Sequence, residues 1–81
     1  MAEDQKKKRT TVSIYGNKYT VISDESQEHV NEVSAYVDAK MREMKGVNPY
    51  LDTRRLAVLT AVNIADEYIK KQQEINTEEE D

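Results

Sequence analysis

Leu56-Ala57-Val58-Leu59-Thr60-Ala61-Val62-Asn63-Ile64-Ala65-Asp66-Glu67-Tyr68-Ile69 is the stretch that decides the fold. Its apolar residues recur at helical spacing, but on more than one side. Ala57, Ala61, Ile64 and Tyr68 form one stripe. Val58, Val62, Ala65 and Ile69 form a second stripe beside it, and Leu56 and Leu59 widen the face. A surface helix of a small domain hides one stripe. Two stripes require two apolar neighbours. One comes from the chain itself, and in a chain this short the other comes from a second copy. The dimer interface expected on this basis is Leu56, Val58, Leu59, Val62, Asn63, Ile64, Ala65, Tyr68 and Ile69.

Size supports the same reading. The chain has 81 residues and no cysteine. A chain of this length is one small domain with a marginal core. Disulfides are excluded, and His29, the single histidine, makes a structural zinc site unexpected. Oligomerisation is the remaining way to stabilise a small scaffold. The lack of cysteine fits a cytosolic protein. No apolar run reaches membrane-spanning length, and Met1 to Thr10 lacks the apolar core of a signal peptide. The expected location is cytoplasmic, without membrane insertion.

The net charge is −4. Residues 1–50 carry eight basic and eight acidic side chains, whereas residues 51–81 carry four and eight. Half of those last eight sit in Glu78-Glu79-Glu80-Asp81. Apart from Lys6-Lys7-Lys8-Arg9, nothing favours a phosphate backbone as partner, so no nucleic acid is expected.

Outward from the apolar stretch, the chain divides simply. Residues 1–9 are charged and aperiodic and read as disordered. Residues 10–22, rich in Thr, Val, Ile and Tyr around Gly16-Asn17, read as a β-hairpin. Gly16 at the first loop position suits a type II′ turn, which pairs Ile14 with Tyr19 and Val12 with Val21 on one face. Ser23 or Asp24 caps the first helix, with Asp24 and Gln27 at capping-box spacing. That helix spans 25–45, with a seam of Val30, Val33, Val37, Met41 and Met44 and a stop at Gly46. Asp52 or Thr53 caps the second helix, unless Pro49 opens it as a first-turn proline. The second helix spans 52–75, and residues 77–81 form a disordered acidic tail. The fold class is α+β: an N-terminal hairpin, then two α-helices, the second long and forming the dimer interface.

No catalytic constellation is visible. The glycines are isolated, Asp66 and Glu67 point different ways on a helix, and His29 lies beside the first helix's seam. The chain reads as a non-enzyme with no cofactor or metal. Asn63 has two readings: an exposed polar position, or a buried amide that sets how helices align. Thr60 allows a weaker form of the second. Tyr19 and Tyr68 are expected in the core, with Tyr15 and Tyr36 at open faces.

Three pieces stand in order along the chain. They are Ile14-Tyr15-Gly16 with Tyr19-Thr20-Val21, then Val37-Asp38-Ala39-Lys40-Met41, then Asp52-Thr53-Arg54-Arg55 running into the apolar stretch. This order resembles the ZapA family of bacterial cell-division proteins over residues 10–70, with Val62 where leucine is more usual. The resemblance implies a non-enzymatic protein that binds the tubulin-like FtsZ, cross-links its filaments and promotes the ring at midcell. It implies a small head of hairpin and first helix, joined to a long dimerising helix. Family members that pair dimers into a tetramer do so through a longer coiled coil. Here Ile75 is the only strong apolar position after Ile69, so a tetramer would be weak at most. The FtsZ-contacting residues expected on the head are Asn17, Lys18, Glu28, Glu32, Tyr36, Arg42 and Glu43.

A dimeric DNA-binding regulator of ribbon-helix-helix type is the alternative. A basic N-terminus, a strand and two helices fit it superficially. A hairpin in place of a single strand, and the absence of a basic face, oppose it. A helical adaptor with another partner is a third reading.

Overall fold

A computed structural model describes residues 7–80, with side chains described through Ile75. The elements are β1 (Lys8–Ile14), β2 (Asn17–Ser23), α1 (Gln27–Val47) and α2 (Thr53–Glu80). The α+β order of hairpin and two helices is as expected from the sequence. The chain forms two compact units, which divide after Glu43.

In the first unit, β1 and β2 pair antiparallel, with Ile14 opposite Asn17, Val12 opposite Tyr19 and Thr10 opposite Val21. This corrects the expected register. The two loop residues are Tyr15 and Gly16, one position earlier than Gly16-Asn17. Both have positive φ, 51° and 82°, which makes the loop type I′ rather than II′. An external hydrogen bond favours the earlier turn: the Tyr15 N–H donates to Asp38 Oδ1 at 2.6 Å. Parity is preserved, so Val12, Ile14, Tyr19 and Val21 still share one face. Burial on that face centres on β1, where Thr10 and Val12 are buried. Tyr19, expected in the core, is 50% exposed.

The hairpin also extends past 10–22. Lys8 pairs with Ser23 and Arg9 with Ile22, so Lys8 and Arg9 are strand rather than disordered. The shifted register brings Ser23 and Ile22 opposite them. Their charged, exposed ends discourage edge-to-edge association of a two-stranded sheet. Met1 to Lys6, also expected to be disordered, lie outside the described residues.

The Ser26 side chain caps α1, accepting the His29 N–H at 3.1 Å, and its carbonyl takes the Val30 N–H. Ser23 Oγ instead accepts the Glu25 N–H in a local turn. The helix therefore starts at Gln27, not Glu25. Its buried residues are Val30, Ser34 and Met41. Ser34 replaces Val33 in the expected seam. At 3.6 residues per turn it lies nearer the line through Val30, Val37 and Met41, and Val33 is exposed.

In the second unit, α1 continues through Gly46, which does not stop it. The end comes at Val47, before Asn48-Pro49, where proline disfavours helix in the preceding residue. The Leu51 N–H donates to the Asn48 carbonyl and Lys45 Nζ to the Leu51 carbonyl. Asp52 caps α2, its Oδ1 accepting the Arg55 N–H at 2.8 Å. No glycine or proline follows Asp52, so nothing ends the helix at 75. It runs to Glu80 through residues expected to be a disordered tail, and glutamate sustains a helix well. Asp81 lies outside the described residues. At 28 residues α2 is about 42 Å long.

Candidate interaction surfaces

The apolar surface of α2 has a different layout from the one its sequence suggests. Leu56 is fully buried and Thr60 is 2% exposed, with Asn63, Ile64 and Glu67 half-buried. These residues follow one line along the helix. The stripe Val58, Val62, Ala65 and Ile69 is exposed, and helical geometry puts it on the opposite side of α2. The buried line is thus neither of the two adjacent stripes but a third, largely polar one opposite Val58, Val62, Ala65 and Ile69. Ala57, Ala61 and Tyr68 flank the open stripe and are also exposed, Tyr68 at 62%. Tyr68 stands about a third of a turn from the buried line, so it is not a core residue. Its hydroxyl accepts a hydrogen bond from Gln72 Nε2.

Six of the nine expected interface residues are therefore open to a partner: Val58, Leu59, Val62, Ala65, Tyr68 and Ile69. Leu56 is not, because it is buried inside the chain. Asn63 and Ile64 lie with it, away from the open stripe. Of the two readings of Asn63, burial is nearer the observation. Its Oδ1 and the Thr60 Oγ1 are buried without a hydrogen-bond partner among the described residues. Each such group carries a penalty of roughly 1–3 kcal/mol. Near the start of α2, Leu51, Arg54, Arg55, Val58 and Leu59 line an open apolar hollow of about 330 Å³ that prolongs the stripe.

The head surface belongs to the first unit. Glu28, Glu32, Tyr36 and Glu43 lie on the outer face of α1 with Ala35 and Ala39 between them, all exposed. Glu28 and Glu43 are about 22 Å apart along the helix, so the face is a strip rather than a single spot. Tyr36 carries the Lys40 ammonium 5.6 Å from its ring centre. Glu43 makes a loose 3.7 Å ion pair with Lys40. Asn17 and Lys18 stand exposed at the hairpin tip.

Arg42 is tied to the hairpin as well. Its Nε donates to Asp38 Oδ2 at 2.9 Å, and its guanidinium lies 5.4 Å from the centre of the Tyr15 ring. Asp38 in turn accepts the Tyr15 N–H. The Arg42 hydrogen bond, and after it the Tyr15 bond, hold the Asp38 carboxyl below its ordinary 3.8. The same hydrogen bond holds Arg42 more firmly protonated. Asp38 was legible only as part of a motif. The separation of 23 residues between Tyr15 and Asp38 leaves no local signal of their bond.

A second hollow, about 200 Å³, is bordered by Val21, Ser23, Glu25, His29, Val30, Val33 and Ser34. Among the described residues no group of three or more His, Cys, Asp or Glu could hold a metal ion, and no helix is long and apolar enough to cross a membrane. The strand pairing is closed within one chain, which removes the single-strand premise of a ribbon-helix-helix regulator.

Comparison with known proteins agrees with this architecture. The family model described as "Cell division protein ZapA" matches residues 10–81. A cell division protein ZapA of Halalkalibacterium halodurans is 61% identical over 75 residues, covering 91% of this chain and 81% of the relative. One from Shouchella clausii is 56% identical over 70 residues, covering 86% and 90%. A solved structure, a ZapA mutant dimer from Geobacillus stearothermophilus, superposes with a TM-score of 0.74 at 47% identity. It covers 91% of this chain and 86% of that one. The chain belongs to the ZapA family of cell-division proteins, which are not enzymes.

Proposed function

We propose that the chain pairs with a second copy through the open side of α2 and that the dimer cross-links FtsZ filaments at the midcell ring in the cytoplasm. One observation carries this reading: α2 buries the line of Leu56 and Thr60 and leaves an apolar stripe on its opposite side exposed, with Val62 at 58%. An apolar strip of this length on a small chain marks a protein–protein contact. The solved dimer of a 47%-identical relative supports a second copy as the partner. Past Ile69, Ile75 is the only apolar residue on the exposed flank with a described side chain. The contact therefore suits a dimer, and any tetramer is weak.

Bridging follows from valency. Each head binds a filament weakly, and two linked heads reach two sites on polymers that repeat those sites many times. The head contacts proposed are Asn17 and Lys18 at the tip and Glu28, Glu32, Tyr36, Arg42 and Glu43 along α1. The test is a filament pelleting assay with FtsZ beside mass determination by light scattering. The wild type should give a dimer mass and bundled filaments. Val62→Glu should give a folded monomer that no longer bundles. Glu43→Lys should keep the dimer and lower co-pelleting. A Val62→Glu variant that stays dimeric would remove the premise.

A further inference from the structure

We infer that Asp38 is a positioning residue for filament contact: it holds the hairpin tip of Gly16, Asn17 and Lys18 in a strained, ready-made shape. The inference rests on the filament reading above, in which Asn17 and Lys18 touch the partner.

Tyr15 takes a left-handed backbone at φ 51° and is the single non-glycine residue with positive φ among those described. Bulky side chains rarely adopt that region. The first position of a type I′ loop favours Asn, Asp or Gly. Strain of this kind persists where the surroundings impose it, and it gathers at functional contacts.

Here the surroundings are two residues one turn apart on α1. Asp38 Oδ1 accepts the Tyr15 N–H at 2.6 Å, and Oδ2 accepts Arg42 Nε at 2.9 Å. The Arg42 guanidinium stacks near the Tyr15 ring. One carboxylate thus holds the turn with one oxygen and its brace with the other. A hairpin that needed only to close would be served by Asn-Gly with no clamp. A clamp around an unfavoured residue makes sense where the next residues must keep one shape, because a fixed tip loses less freedom on binding. Arg42 then braces the clamp.

The test is a double-mutant cycle on co-pelleting with FtsZ, using the full chain. The variants are Lys18→Ala, Asp38→Ala, the pair together, and Asp38→Asn. Each alanine variant should weaken binding by about three- to tenfold. The double variant should bind no worse than Asp38→Ala alone, since a loosened tip no longer presents Lys18. Asp38→Asn retains an oxygen for the Tyr15 N–H and should recover most of the binding. Dimer mass should stay unchanged throughout. A Lys18→Ala effect that persists in full in the Asp38→Ala background would overturn the inference, as would loss of dimer mass in Asp38→Ala. A wild type that fails to pellet would instead sink the filament reading, and this inference with it.

Discussion

Leu56 and Val58 stand two residues apart on α2 and face opposite ways: Leu56 is 0% exposed and Val58 is 58% exposed. Substitution should separate the two sides. Leu56→Ala leaves a cavity inside the chain and should cost about 2–5 kcal/mol of stability. For so small a protein that is a large share of the total. Val62→Glu changes the open side, disturbs no buried contact, and should cost pairing rather than protomer structure. Ile64→Glu, at a half-buried position, should damage both. Circular dichroism melts run beside light scattering would check this. Equal loss of helix in Leu56→Ala and Val62→Glu would contradict the opposed-sides layout.

Thr60→Val should stabilise the chain. The Thr60 hydroxyl is buried with no partner among the described residues, and valine keeps nearly the same shape without a polar atom. Replacing such a group is neutral to stabilising, by up to roughly 1–3 kcal/mol. A gain of about 1 kcal/mol raises the melting midpoint of a domain this size by about 4–8 °C. A drop in the midpoint would show that the hydroxyl bonds something in the working assembly.

What was legible in the sequence follows from range. Helix existence, the hairpin and the surplus of apolar surface on α2 rest on periodicity, which is local, and these were readable. The choice between Gly16-Asn17 and Tyr15-Gly16 as the loop was not, because either pair closes a hairpin and a bond from distant Asp38 tips the balance. The sequence does not show that Leu56 is buried, for a related reason. Both apolar stripes have helical spacing, yet the line that is buried, through Leu56 and Thr60, is neither of them. A threonine in the buried line is also invisible to a pattern that counts apolar residues. Ser34 escaped the seam of α1 in the same way. The loss of apolar residues after Ile75 suggests an earlier end to α2 than the one observed. A helix needs only the absence of breakers to continue.

Tyr15→Asn should separate stability from contact. Asn-Gly is the favoured type I′ pair, so the substitution relieves a left-handed tyrosine worth about 1–2 kcal/mol. It also forfeits the Arg42 stacking, which at an exposed site is worth roughly 0.5–1 kcal/mol. The melting midpoint should therefore hold or rise slightly. Co-pelleting with FtsZ should stay near wild type provided Asp38 still holds the turn backbone. A clear fall in the midpoint would mean that the tyrosine ring, rather than the backbone clamp, stabilises the hairpin.

The clamp also sets an acid limit. The bonds from Arg42 and Tyr15 place the Asp38 carboxyl below its ordinary 3.8 in the folded chain. A carboxylate with a lowered folded value stabilises the fold fully above its unfolded value and loses that contribution as pH falls through the folded one. The clamp should therefore be intact and pH-independent from about pH 5 to 8 and should open only in acid, below the ordinary carboxylate range. An NMR titration following the Asp38 carboxyl and the Tyr15 amide would show both moving together. Arg42→Leu removes the larger of the two bonds, so its Asp38 midpoint should climb back toward 3.8. An Asp38 midpoint at or above 3.8 in the wild type would mean that the carboxylate does not hold the turn in solution.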